Sequence, residues 1–165
     1  MTLTVTDGAH LRRCVELARQ AIDAGDQPFG SLLVGPDGTV LREERNRVGG
    51  GDHTRHPEFE LARWSASHVS EADRAHCTVY TSGEHCPMCS AAHGWVGLGR
   101  IVFASSSAQL QAWLGELGVG PAPVNTLPIG DIVPGLPVDG PAPELAEELR
   151  QLHLRRFPSR ADQAP

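Results

Sequence analysis

The chain has 165 residues, a formal charge of −6 and 40% apolar residues, which suits one globular domain with a sizeable core rather than a disordered chain. All 14 of its Lys-or-Arg positions are arginine, which excludes a Schiff-base lysine and a Walker-type phosphate lysine. A net acidic domain is a poor match for nucleic acid, which calls for a basic face; a small uncharged or cationic substrate fits better.

The opening M-T-L-T-V-T-D-G has neither a basic flank nor an apolar core, so no secretory leader is expected, and no run of about 18 apolar residues follows. The expected location is the cytosol, where disulfides are rare. Thr6 or Asp7 can cap a first helix whose apolar positions Leu11, Cys14, Val15, Ala18 and Ile22 recur at helical spacing, ending at Gly25. Arg12 and Arg13, like Arg155 and Arg156 near the other end, read as solvated helix faces. F-G-S-L-L-V (29–34) and T-V-L-R-E-E (39–44), joined by the turn G-P-D-G, form a hairpin. The glycine-rich loop 46–55 suits a mobile rim.

A second helix starts at His56, with Thr54 as its cap and Pro57 where a first-turn proline is tolerated. Cys77–Thr81 is a strand, 86–96 a third helix and Arg100–Ala104 another strand. Residues 106–117 are helical, with Leu110, Trp113, Leu114 and Leu117 on one face. From about 119 to 143 seven prolines fall in a Pro/Gly-rich arm that cannot be helical. An amphipathic helix over about 143–157 closes the chain. Strands alternating with helices after a hairpin imply a mixed sheet covered on both faces.

The pair Cys86 and Cys89 in T-S-G-E-H-C-P-M-C is open to three readings: a redox dithiol, part of a zinc site, or inert buried thiols. His56 and Glu58 alter the balance. His-Pro-Glu and Cys-Pro-Met-Cys each follow a loop and start a helix, so convergence of those two starts would gather an imidazole and two sulfurs. Such a set leaves one tetrahedral position open, the mark of a catalytic rather than structural zinc. Zinc brings the pKa of a water in that position to about 7, helix N-termini favour thiolates, and Glu58 stands close enough to carry protons. A thioredoxin-like dithiol would place its pair after the first strand and needs no His-x-Glu. A purely structural zinc module has no use for Glu58.

His56-Pro57-Glu58 followed by Cys86-Pro87-Met88-Cys89 resembles the signature of the zinc-dependent cytidine/deoxycytidylate deaminase superfamily. Pro28-Phe29-Gly30-Ser31, Asn46, Thr81-Ser82-Gly83-Glu84 and the Ser-Ala-Ala after Cys89 extend the resemblance over about residues 8–106, closest in layout to the guanine/cytosine (nucleobase) deaminase branch. The resemblance implies a three-layer α/β/α sandwich with a mixed five-stranded sheet. It also implies one zinc held by His56, Cys86 and Cys89, with Glu58 as proton shuttle. Asn46 would hydrogen-bond the substrate, Phe29 would pack on its ring, and Pro57 and Ser82 would lie near it. A homodimer, with exchange of the C-terminal segment, is implied as well.

Several positions depart from that pattern. His85 stands where proline is usual; it either tunes the neighbouring thiolate, lines the pocket or, as expected here, faces outward. Glu84, by contrast, matches a family glutamate and is either a relay beside the site or a structural ion pair. Guanine-specific relatives carry an acid after the strand 100–104; here Glu116 is the acid of that segment, and Trp113 either stacks on a base or belongs to the core. The substrate is therefore expected among guanine, cytosine, isocytosine and amino-triazines such as ammeline. A nucleoside is the alternative, and a tRNA adenosine deaminase is less favoured given the acidic charge.

Overall fold

The computed structural model describes residues 3–157. Helix α1 (Val5–Asp23) starts two or three residues earlier than the sequence suggests: Thr4 is its cap, and Thr4 and Asp7 satisfy each other's backbone amides in a capping box. The Asp7 expected to cap the helix is its third residue instead. Strands β1 (Gly30–Val34) and β2 (Val40–Arg45) form the expected antiparallel hairpin. A single 3₁₀ turn, Val48–Gly50, leads to α2 (Pro57–His68). A one-turn helix α3 (Glu71–Arg74), capped by Ser70, has no counterpart in the sequence reading. Strand β3 (Thr78–Gly83), helix α4 (Pro87–Val96), strand β4 (Ile101–Ser105) and helix α5 (Ser107–Glu116) follow the sequence reading to within about two residues.

The proline arm holds two further elements. A one-turn helix α6 (Ile129–Ile132) occupies a proline-free window behind Pro128, which corrects the expectation that this stretch excludes helix. The fifth strand, β5 (Val138–Asp139), is only two residues long. Helix α7 (Pro143–Arg156) ends the described chain. Among the described residues no helix is long and apolar enough to cross a membrane.

The sheet order is β2-β1-β3-β4-β5, antiparallel across β2, β1 and β3 and parallel across β3, β4 and β5. Strand alternation sorts its residues onto two faces. Leu32, Val34, Tyr80, Val102 and Ala104 pack against α1 and α7. Leu33 and Val79 pack against α2 and α4, and Ile101 and Phe103 receive Ile129 of the arm. Helices cover both faces, the mixed sandwich that the resemblance implied. Gly30 allows α1 to cross β1 closely, since a Cβ there would lie 2.4 Å from Leu17 Cβ and 2.6 Å from the Cys14 carbonyl oxygen.

Arg13 and Arg155 behave as solvated faces, whereas Arg156 is partly covered and lies over the Phe157 ring with its Nε buried. Arg13 makes a two-pronged ion pair with Glu43 of β2, and Arg155 pairs with Asp23. The loop after β2 is better anchored than a mobile rim. Asn46 Oδ1 accepts from the amides of Gln27 and Val48, and Asp26 accepts from Gly49 N at 2.7 Å and from Arg45 at 2.6 Å. Carboxylate and amide oxygens take up the loop's own N–H groups, which fixes its first half; residues 50–55 stay exposed.

Candidate active site

Two helices are built alike at their starts. His56 precedes Pro57 and Cys86 precedes Pro87, and each proline stands at the first helical position. Proline pushes its predecessor into extended backbone and presets its own φ for the helix. His56 (φ −81°, ψ 141°) and Cys86 (φ −68°, ψ 165°) are accordingly the N-cap residues, and neither uses its side chain for capping. Thr54 is therefore not the cap of α2; its hydroxyl bonds Asp52. Both cap side chains are free to turn toward the site.

They meet there. Cys86 Sγ lies 3.5 Å from His56 Nδ1 and 3.5 Å from Cys89 Sγ, and Cys89 Sγ lies 3.6 Å from His56 Nδ1. A tetrahedral zinc with Zn–S of about 2.3 Å and Zn–N of about 2.0–2.1 Å spaces its donors roughly 3.5–3.8 Å apart. One imidazole and two sulfurs at that spacing fit the ion in number, kind and separation. Cys86 and Cys89 are free thiols here, as are Cys14 and Cys77. Among the described residues no carboxylate oxygen joins the three ligand atoms.

The electrostatics agree with a shared metal position. The contact with Cys89 lowers the Cys86 thiol to about 4, with His56 adding to it; Cys89, on the other side of that contact and buried, is pushed up. The first proton thus leaves readily from Cys86. Burial works against a charged His56, but the contact with Cys86 and the negative charges of Glu58 and Cys86 prevail and raise its pKa. Burial raises the Glu58 carboxyl, against the charge of His56 and the hydrogen bonds from its own backbone and Thr81. Glu58 sits beside the cluster, with Oε2 3.8 Å from Cys89 Sγ and Oε1 held by the hydroxyls of Ser31 and Thr81.

Other residues singled out in the sequence divide into two groups. Asn46 is fully buried and its backbone N–H donates to the Phe29 carbonyl, so Asn46 and Phe29 are tied together. Asn46 Nδ2 is buried without a partner. Pro57 is buried at the start of α2, and Ser82 Oγ accepts from Gly30 N at 3.1 Å. The Phe29 ring lies over Gly83, where a Cβ would come within 2.9 Å of it. Glu84 spends both carboxylate oxygens on backbone amides, Ser107 N at 2.8 Å and Ile129 N at 3.0 Å, and so pins the starts of α5 and α6 to the end of β3. Trp113 packs on the core beneath α1 and α7, and Glu116 is exposed and pairs with Arg150.

His85 does not face outward. It is buried, edge-to-face with His93 at 5.3 Å, and burial lowers its pKa well below the usual histidine range. The ring fills space behind α4 that an exposed residue would leave open. The sequence assigns no role to Ser31, which it offers only as part of the Pro28-Phe29-Gly30-Ser31 motif, and none to His153. The Ser31 hydroxyl is hidden inside an apolar strand; His153 looks like one more polar residue on the last helix, yet its ring lies 5.3 Å from Phe29 and 6.0 Å from Trp113.

A three-ligand zinc geometry with a neighbouring carboxylate, on a mixed sheet flanked by helices, defines a zinc deaminase type of site. Residues 4–105 match the cytidine and deoxycytidylate deaminase zinc-binding region, and the chain belongs to that family. It is 37% identical over 108 residues to a probable cytosine deaminase of Schizosaccharomyces pombe, covering 66% of this chain and 65% of that protein. It is 34% identical over 97 residues to guanine deaminase of Bacillus subtilis, covering 58% of this chain and 62% of that one. The chain thus spans somewhat less than two thirds of the length of these relatives. The solved guanine deaminase from Nitrosomonas europaea shares the fold, with a TM-score of 0.68 at 24% identity over 93% of this chain and 86% of that one.

Proposed function

We propose that the protein is a zinc-dependent hydrolytic deaminase acting on a small aminated heterocycle, replacing an exocyclic amine by a carbonyl and releasing ammonia. The observation that carries this reading is Glu58: a buried carboxylate beside three donors at zinc spacing, yet outside the ligand set. His56, Cys86 and Cys89 would hold the zinc, which when bound would supply the Lewis acidity that makes a water nucleophilic at neutral pH. Glu58 takes a proton from the attacking water, delivers it to the ring nitrogen beside the reacting carbon, and passes a second to the departing amine. One water is consumed and one ammonia leaves for each carbonyl formed.

The wall of the pocket in this proposal is Phe29, Asn46, Pro57 and Ser82. Asn46 Nδ2 is a buried donor without a partner, a costly arrangement that a base carbonyl or ring nitrogen would relieve. His153 backs Phe29, and Trp113 backs His153, so α7 shapes the pocket from behind. Glu84 and Glu116, engaged elsewhere, act on substrate at most through the elements they hold. The names of the two sequence relatives support a free nucleobase, with guanine, cytosine, isocytosine and amino-triazines first in line and a nucleoside second.

The deciding experiment is ammonia release by the zinc-loaded protein from guanine, cytosine, isocytosine, adenine, cytidine, guanosine and amino-triazines. Activity on one free base above all nucleosides is expected; no ammonia from any of them would overturn the reading. A cytoplasmic homodimer completes the proposal. Trp95, 90% exposed on α4, is a side chain such an interface would cover. Sedimentation velocity that returns only monomer across the micromolar range would remove the dimer.

A further inference from the structure

The carboxylate of Glu58 is held on one side. Ser31 Oγ and Thr81 Oγ1 each lie 2.9 Å from Oε1, and 2.9 Å from each other. Oε2 is instead turned to the ligand cluster, at 3.8 Å from Cys89 Sγ. The two hydroxyls come from different strands, 50 residues apart, and face one another because Ser31 and Thr81 are Cα partners across the antiparallel β1–β3 ladder. They occupy the same sheet face as Leu33 and Val79, two residues along each strand, which is the face α2 covers. Both are fully buried, so neither hydroxyl serves solvent.

Their hydrogens can be accounted for. Ser31 has one O–H, which either Glu58 Oε1 or Thr81 Oγ1 accepts. Thr81 has one, which either Oε1 or the Gly83 carbonyl at 2.9 Å accepts. An unheld carboxylate turns about a broad, nearly two-fold torsion, so each oxygen would spend time off the reacting atoms. A proton carrier must keep one oxygen within about 2.6–3.2 Å of its target. Holding one oxygen in place holds the other.

We propose that Ser31 and Thr81 are positioning residues: as a cross-strand hydroxyl pair they capture Oε1 of Glu58 and so reserve Oε2 for proton transfer at the site. The proposal rests on the deaminase reading above. It assigns the pair no contact with substrate or metal.

The test uses the zinc-loaded protein with Ser31→Ala, Thr81→Val, the double variant and Thr81→Ser. With the best substrate of the panel, kcat falls roughly tenfold in each single variant and about a hundredfold in the double, while KM and bound zinc change less than about twofold. Thr81→Ser, which restores the hydroxyl, brings kcat back to within about threefold. Infrared difference spectra on ¹³C-glutamate-labelled protein give a readout apart from activity. The band assigned to Glu58 by its loss in Glu58→Gln shifts in the double variant, because its two oxygens are no longer held unequally. An unchanged Glu58 band, or a kcat within about twofold of the parent in the double variant, would overturn the proposal. So would loss of zinc or a rise in KM matching the whole loss of kcat/KM. Should the parent release no ammonia at all, the deaminase reading fails, while the infrared band still decides whether the hydroxyl pair holds Oε1.

Discussion

Tyr80 and Thr81 are neighbours in β3, and alternation sends them into two polar clusters on opposite faces of one sheet. Tyr80 donates its hydroxyl to Asp7 at 2.8 Å, beneath α1. There Asp7 also accepts from Arg100 and from both the amide and hydroxyl of Thr4, and Arg100 reaches on to Asp139 of β5 at 2.8 Å. Thr81 lies on the face of α2, beside Glu58. Both clusters bury charge, but they treat it differently. Around Asp7 both carboxylate oxygens are bonded by protein donors, and although burial opposes its charge, Arg100, Thr4 and Tyr80 hold its pKa well below the usual carboxylate range. Around Glu58 burial prevails and the pKa goes up, and only one of its carboxylate oxygens is held by hydroxyls. Saturated polar groups tie elements together, whereas groups left with spare valences are held ready for something absent from the chain.

That contrast can be broken at either cluster. The largest effect is expected from Glu58→Gln, which should cut ammonia release by roughly 10² to 10⁴ while zinc content and unfolding midpoint stay put. Retained turnover in that variant would remove the proton-carrier role. Arg100→Met attacks the saturated cluster by removing the guanidinium that Asp7 and Asp139 share. Guanidinium exposure moderates the cost, so about 2–4 kcal/mol of stability should be lost, read as a lower urea midpoint, with turnover per folded molecule kept within about twofold. An Arg100→Met variant as stable as the parent would show that the cluster is ornamental.

The smallest effect concerns pH. Burial lowers His153 to about 4, so the folded chain resists the proton that the unfolded chain accepts near pH ~6.5. Stability from this group is complete above about pH 6.5 and declines as pH falls from there toward 4. His153→Leu should flatten that decline by about 2–3 kcal/mol across the window; His85 and His93, lowered by the same burial, leave a residual slope. Identical slopes for parent and variant would mean that His153 is protonated at no cost in the fold.

What could be read from the sequence follows the range of each interaction. His56, Glu58, Cys86 and Cys89 were legible because short spacings and helix starts carry their meaning locally. The α/β alternation, the hairpin and the helix over 106–117 were legible from periodicity. The fifth strand was not placed, because two residues have no period and its anchor, Arg100, lies 39 positions away. The hydroxyl pair at Ser31 and Thr81 depends on register between strands, which no single window records. His85 looked exposed since nothing near it in sequence announces His93 as a packing partner. Thr6 and Asp7 look like ready caps in the sequence, but Thr4 closes the box with Asp7 three residues on.

The Arg100 bridge also bears on where this protein could be cut. The family match ends at Ser105, yet from beyond that point Leu145, Leu149 and Leu152 of α7 share one apolar cluster with α1, and Asp139 holds Arg100. A chain trimmed after Ser105 would keep every zinc donor and lose the helix beside α1, uncovering Val102 and Ala104 of β4 and the flank of α1. The signature region is thus a passenger on its C-terminal third: any minimal catalytic fragment has to carry α7 with it, or borrow one from another molecule.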